Sequence, residues 1–411
     1  MESLKKYLPL ISLYLLVSMA FVMPVFVRVI PLFIGFFALF NLIDGFVNKT
    51  FRFPAPLIFI VGILFYIIHV ISVFYSDDFD TAWFDISVKL SFLVFPLVFL
   101  FQNPILLTQK KKILMSFVYG SIVSSIIMLV LAFLKYEELG SAAFYYVELA
   151  LFHPSYMAMY FVFSIIILVD FLEKSGKKIL QNWPYILAIL FLLFMISLLQ
   201  SKAGIISGIL IALFYLLVAV WKKRKKLMVM GALILIISTT LIFVQQNNRL
   251  VSMVESVEKA SEDQKTEDST GLRISIWKIT LEELKDHWLT GVGGGDIKPV
   301  LKSKYEETGL NKASVQNLNV HNQYLETFLG QGIFGFILLL TLLVLGLREA
   351  YLRQDVLSAA FIVLVAFSLF PESMFNSQMG VIFISFFYYF LFIYREKTLV
   401  SESKNMENQK E

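Results

Sequence analysis

Cysteine is absent from the 411 residues, so no disulfide braces an external loop and no thiol can serve as nucleophile or metal ligand. Only four histidines occur, and the chain has no histidine and cysteine cluster for a transition metal. Charge is scarce too: Asp, Glu, Lys and Arg make up 16% of the chain, against roughly 25% in a soluble domain. The net charge of +4 comes largely from lysine and arginine clusters between apolar runs, so it reports membrane orientation and not nucleic-acid binding. No internal repeat suggests the inverted halves of a transporter.

What fills the chain instead is apolar side chain, 58% of it, with a mean hydropathy of +0.75. A spanning helix needs roughly 20 mainly apolar residues. About twelve such runs lie near 8–24, 29–47, 54–75, 82–101, 113–134, 151–172, 184–201, 203–221, 227–245, 332–349, 355–371 and 378–394. This pattern predicts an all-α integral membrane protein. Ser18-Met19-Ala20 could be a signal-peptidase site, but the helices that follow favour an uncleaved first span. From Lys5 and Lys6 onward, every second connection is basic: Lys49 and Arg52; Lys110 to Lys112; Lys174, Lys177 and Lys178; KKRKK at 222–226; Arg348 and Arg353. The intervening short loops carry only Arg28, Lys135 and Lys202, and one of them is the acidic SDDFD at 76–80. Both termini are therefore expected in the cytoplasm. Spans one to nine then occupy 1–245, a large extracytoplasmic loop with short helices 246–331, spans ten to twelve 332–395, and a cytoplasmic tail 396–411.

With that orientation the unusual polar residues gather at the outer ends of spans. They are His153 in FHPSYMAMY, Lys202 in QSKAG, Arg273 and Trp277 in GLRISIWK, His321 and Asn322 in VHNQYLE, and Glu372 in PESMFNSQMG. Ionisable groups at membrane depth are costly unless they face protein or water, which makes each a candidate for function. His321 can take a proton from a hydroxyl near neutral pH. Its alternative is to cap span ten, with Gly330, Gly332 and Gly335 allowing close helix packing. Arg273 belongs to ISIWKITLEELKDHWL, whose apolar spacing suggests a helix lying on the membrane surface. Lys202 has no neighbouring carboxylate in sequence and either binds an anion or snorkels to the interface. GVGGGD at 291–296 is a turn or, if functional, an anion-binding nest. SDDFD is a solvated loop or a holder of magnesium or manganese. His69 is expected in an interhelical hydrogen bond, and Lys89 is a charge inside span four.

Together these segments resemble the O-antigen ligase and polymerase family. HNQYLETFLGQGIFG looks like that family's histidine signature, and GLRISIWK followed by HWLTGVGGGD is similar to its Arg-x-x-x-Trp and Gly-x-Gly segment. QSKAG and PESMFNSQMG resemble its Ser-Arg-Gly-like and Glu-Ser motifs. The likeness spans roughly 200–395, and before that only HPSYMAMY and the hydropathy agree. It implies a GT-C-like helical architecture in the cytoplasmic (inner) membrane. The implied reaction moves an oligo- or polysaccharide from a polyprenyl diphosphate, such as undecaprenyl diphosphate, to an acceptor hydroxyl on the outer face. The resemblance makes His321 the base and Arg273 the diphosphate holder. Lys202 stands where the family usually has arginine, which keeps the charge but loses the bidentate fork. Glu372, Trp277, His153 and Asn322 complete the expected substrate-binding set, with no metal and no cofactor. The expected partners are the lipid-linked donor, membrane lipids and an acceptor that is lipid A core, another glycan or a protein side chain, with no nucleic acid. The work implied is lipopolysaccharide or other cell-envelope polysaccharide biosynthesis. A flippase for polyprenyl-linked glycan and a protein O-oligosaccharyltransferase are the alternatives.

Overall fold

The computed structural model describes residues 2–50, 56–101, 106, 108–245 and 269–393, and their regular structure is helical. In chain order the first helices are α1 (Glu2–Val22), α2 (Ile30–Asn48), α3 (Leu57–Val73), α4 (Phe79–Lys89), α5 (Ser91–Phe99), α6 (Lys110–Leu134), α7 (Pro154–Lys174), α8 (Trp183–Leu198), α9 (Lys202–Lys222) and α10 (Lys225–Gln245). The second group is α11 (Ser269–His287), α12 (Ile297–Glu307), α13 (Asn311–Val315), α14 (Gln323–Leu352), α15 (Val356–Ser368) and α16 (Gln378–Ile393). Residues 246–268 of the expected loop and the tail 396–411 lie outside the described residues.

Among the described residues seven helical stretches are long and apolar enough to cross a membrane: α2, α4 together with α5, α6, α7, α8, α9 and α14. Shorter apolar helices come from α1, α3, α15 and α16. The protein is a polytopic membrane protein. Together these eleven described apolar stretches fall within the dozen runs expected from hydropathy. α15 stops at Ser368, and residues 369–377 lead from it to α16.

Proline opens α2, α7 and α8 in the first turn, where its missing N–H costs no helical bond. α7 is the central column, with nearly every residue from Tyr156 to Asp170 buried. Its Phe163 meets Phe117 of α6, Phe361 of α15 and both Phe383 and Phe387 of α16, at centroid separations of 4.6–5.6 Å. Offset and edge-on contacts of this kind add about 0.5–1.5 kcal/mol each beyond burial.

Basic residues mark one end of the bundle. There Lys110 faces Asp355 at 3.5 Å, Lys174 bonds Asp170 at 2.9 Å, and Lys226 donates to Leu172 O at 3.3 Å. At the opposite end α11, α12, α13 and the first turns of α14 enclose a second, smaller core around Leu272, Ile276, Leu301, Tyr305, Val320 and Leu329. The expectation for α11 is met only in part: Leu272, Ile276, Ile279 and Leu284 of its apolar stripe pack against protein, while Leu281, Trp288 and Leu289 of the same segment stay exposed.

α14 begins at Gln323, earlier than the 332 expected, and is broken at Gly332 (φ 63°, ψ −163°). The break frees carbonyls, and the glycine loop takes them up: Val292 N donates to Leu329 O at 2.8 Å and Gly293 N to Gly330 O at 3.0 Å. In return Ile333 N donates to Trp288 O at 2.9 Å. A Cβ on Gly332 would strike Leu289 O, and one on Gly293 would strike Ser76 Oγ. GVGGGD is therefore a joint that docks loop against broken helix, and most of its amides are spent. Asp296 continues the joint by accepting from Asp77 N (2.7 Å) and Asp78 N (2.9 Å), so SDDFD is pinned and not merely solvated.

Candidate functional site

His321 sits in the linker between α13 and α14 with φ 50°, a left-handed backbone that costs a β-carbon residue about 1–2 kcal/mol. Such strain persists only where neighbours overdetermine it. Here three elements do so. Trp277 Nε1 of α11 donates to Val320 O at 3.0 Å, Val320 N donates to Glu326 Oε2 of α14 at 3.0 Å, and Asn322 N donates to Ser373 Oγ at 3.3 Å. Ser373 Oγ in turn donates to Glu326 Oε2 at 2.8 Å, and Asn376 Nδ2 donates to Glu326 Oε1 at 2.8 Å.

Glu372, on the segment between α15 and α16, is the hub. Arg273 NH2 donates to its Oε1 at 2.7 Å, Ser155 Oγ donates to the same oxygen at 3.2 Å, and His321 Nδ1 stands 3.3 Å from Oε2. The Glu372 side chain is 6% exposed, His321 22% and Arg273 27%, so the hub is dry while its two partners reach solvent. Burial alone would raise the Glu372 carboxyl. The hydrogen bond from His321 and the charges of Arg273, His153 and His321 outweigh it and hold the group below its ordinary range. An ionised carboxylate only accepts, so Nδ1 of His321 carries a proton, and in the neutral imidazole Nε2 is then the acceptor.

The other expected residues fall around this hub. His153 caps α7 through Nδ1, which accepts from Ser155 N at 3.4 Å, and its charge is felt at Glu372. Lys202 opens α9 and donates to Thr270 Oγ1 at 3.3 Å, one turn of α11 before Arg273. Trp277 packs edge-on against Phe370 at 5.1 Å, its N–H already engaged. Asn322 is buried as the N-cap of α14, with its Oδ1 accepting from Leu325 N at 3.1 Å. One Arg273 atom, Nε, is buried with no hydrogen-bond partner among the described residues.

Sequence reasoning missed Glu326 and Ser373, which fix the histidine backbone, and Ser155, which braces Glu372. Glu326 stood in view as the carboxylate of HNQYLE, but nothing in sequence says that it turns back onto Val320. His69 differs from its expectation: Nδ1 bonds Phe65 O within α3 at 2.7 Å, so the bond is intrahelical. Lys89 is paired with Asp85 one turn earlier.

Among the described residues no group of three or more His, Asp or Glu could hold a metal ion. Comparison with curated proteins finds no match. Residues 187–340, which contain Lys202, Arg273, Trp277, His321 and Glu326, match the family described as O-antigen ligase.

Proposed function

We propose that the protein transfers an oligo- or polysaccharide from a polyprenyl diphosphate to an acceptor hydroxyl on the outer face of the cytoplasmic membrane. The supporting observation is the Arg273–Glu372–His321 array, lying largely within a matched O-antigen ligase segment. In this reading Nε2 of His321 takes the proton of the acceptor hydroxyl as its oxygen bonds the anomeric carbon. The bond from that carbon to the diphosphate oxygen breaks, and the electron pair leaves with the lipid diphosphate. Glu372 positions His321 and stabilises the imidazolium that forms. Arg273, whose Nε lacks a partner, and Lys202, at the N-terminus of α9, meet the departing negative charge. A divalent ion has no necessary part in this scheme.

The same proposal sets the array at the extracytoplasmic end, with about twelve spans, a GT-C-like arrangement and both termini inside. The supporting pattern is that the lysine and arginine clusters of the short connections lie at the other end of the bundle. The decisive experiment is donor consumption by purified protein in detergent, with lipid-linked glycan and acceptor together and no gradient. Release of polyprenyl diphosphate with a longer or newly capped acceptor is expected. Intact donor here, together with donor translocation in vesicles, overturns the enzyme in favour of a flippase.

A further inference from the structure

A cavity of about 110 Å³ lies between α3, α4, the start of α12 and the first turns of α14, and none of His321, Arg273 and Glu372 lines it. At roughly 10–15 Å³ per water it has room for several ordered waters. Its wall carries the amides of Gln323, Gln331 and Asn376, all three contributed by the site end of the bundle. Asp85 and Lys89 also face it as an ion pair, with Lys89 only 3% exposed. His69 adds an acceptor, since Nδ1 is committed to Phe65 O and Nε2 is not. Thr81 and Phe84, both exposed, stand at its rim.

This lining discriminates among ligand classes. An apolar ligand would displace water from the Asp85 and Glu326 carboxylates and the Lys89 and Lys298 ammonium groups without replacing its hydrogen bonds. A small inorganic anion meets two carboxylates, Asp85 and Glu326, that cancel the two ammonium groups, Lys89 and Lys298. A dication finds Asp85 already held by Lys89. A neutral polyhydroxyl ring suits it best, because each hydroxyl both donates and accepts and the wall offers both roles.

Glu326 and Asn376 form the partition between this cavity and the catalytic array, with Glu326 Oε2 bonded to Ser373 next to Glu372. We infer that the cavity is a second subsite, which holds a neutral sugar unit of the glycan beyond the one undergoing transfer. The inference rests on the glycan-transfer reading above. The sugar comes from either the donor chain or the acceptor chain, and the kinetics separate the two.

The test uses the purified full chain with Gln331→Leu and, at the exposed mouth, Thr81→Trp. Losing one amide bond to a bound hydroxyl, worth about 1–1.5 kcal/mol, predicts that KM for one glycan substrate rises about tenfold while kcat changes less than about twofold. A rise confined to the donor places a donor sugar in the cavity, and a rise confined to the acceptor places an acceptor sugar there. If both KM values stay put while thermal stability is kept, the subsite is refuted. Saturation-transfer NMR with methyl glycosides of glucose, galactose and N-acetylglucosamine gives a reading independent of transfer. Contacts seen with the wild type and lost in Thr81→Trp support the subsite, and equal contacts, or none with any of the three, overturn it. A wild type that transfers nothing yet shows these contacts sinks the functional reading and leaves the subsite standing.

Discussion

Replacing Glu372 with glutamine tests the hub most directly, because the shape is kept and only the charge is removed. The carboxylate serves Arg273 at 2.7 Å and His321 at 3.3 Å from its two oxygens. An amide can accept with one oxygen, and its NH2 would then face one of those two partners. If it faces His321, Nδ1 becomes the acceptor and the proton moves to Nε2, the wrong tautomer for a base. Loss of an orienting carboxylate in such an array costs about 10²–10⁴-fold in kcat, with little change in substrate affinity. The stability cost is smaller. Breaking a fully buried pair costs roughly 3–5 kcal/mol. Arg273 is 27% exposed, so solvent takes up part of that and about 1–2 kcal/mol remains. The sign with pH follows from the Glu372 shift. Its folded pKa lies below the ordinary 4.5, so its contribution is present above that value and lost as pH falls through the lower, folded one. Glu372→Gln should therefore flatten the wild type's loss of stability below pH 4.5, measured by thermal unfolding in detergent. Transfer by Glu372→Gln within threefold of wild type would refute the reasoning.

His321→Ala should lower transfer by on the order of 10²-fold or more with donor binding intact, and near-normal turnover would remove the base. Arg273→Lys should restore donor binding only in part relative to Arg273→Ala, because the ammonium lacks the planar fork; equal affinities would leave Arg273 a brace for Glu372. Single cysteines at Ser303 and Lys177 should respectively react and fail to react with an impermeant thiol reagent on intact spheroplasts, and labelling at 177 would invert the proposed topology. Transfer should persist in excess EDTA; if it stops and magnesium restores it, the departing diphosphate is met by a metal and not by Arg273 and Lys202 alone.

Most of the helices could be read from the sequence because hydropathy marks where a run is apolar. It does not say what covers each face. The stripe of α11 has the period of a membrane-surface helix, yet Leu272 and Ile276 are buried against α12 and α14, a partner that only the fold supplies. Asn322 and Trp277 carry the same ambiguity. A polar side chain beside a reactive one can be a ligand or a brace, and here the known bonds of both go to backbone. Glu372 lies 51 residues from His321 and 99 from Arg273, so its bridging position was invisible to any reading based on spacing. The glycines were visible as a group, but their use was not. Gly332 and Gly293 serve two segments that are legible only as partners, one a broken helix with spare carbonyls and the other a loop with spare amides.

That joint also bears on how the proposed site is held in place. A helix entering the bilayer must satisfy its own backbone, and a break at Gly332 in hydrocarbon would strand several carbonyls at a few kcal/mol each. The loop amides remove that cost and fix the first turns of α14 at an angle the unbroken helix could not take. Those turns carry Glu326, which holds Val320 and Ser373, and so set the backbone of both His321 and Glu372. The strained φ of His321 and the alignment of its Nδ1 with Glu372 thus depend on a glycine about three turns away, with backbone bonds at the joint and the side-chain bonds of Glu326 and Ser373 carrying the constraint.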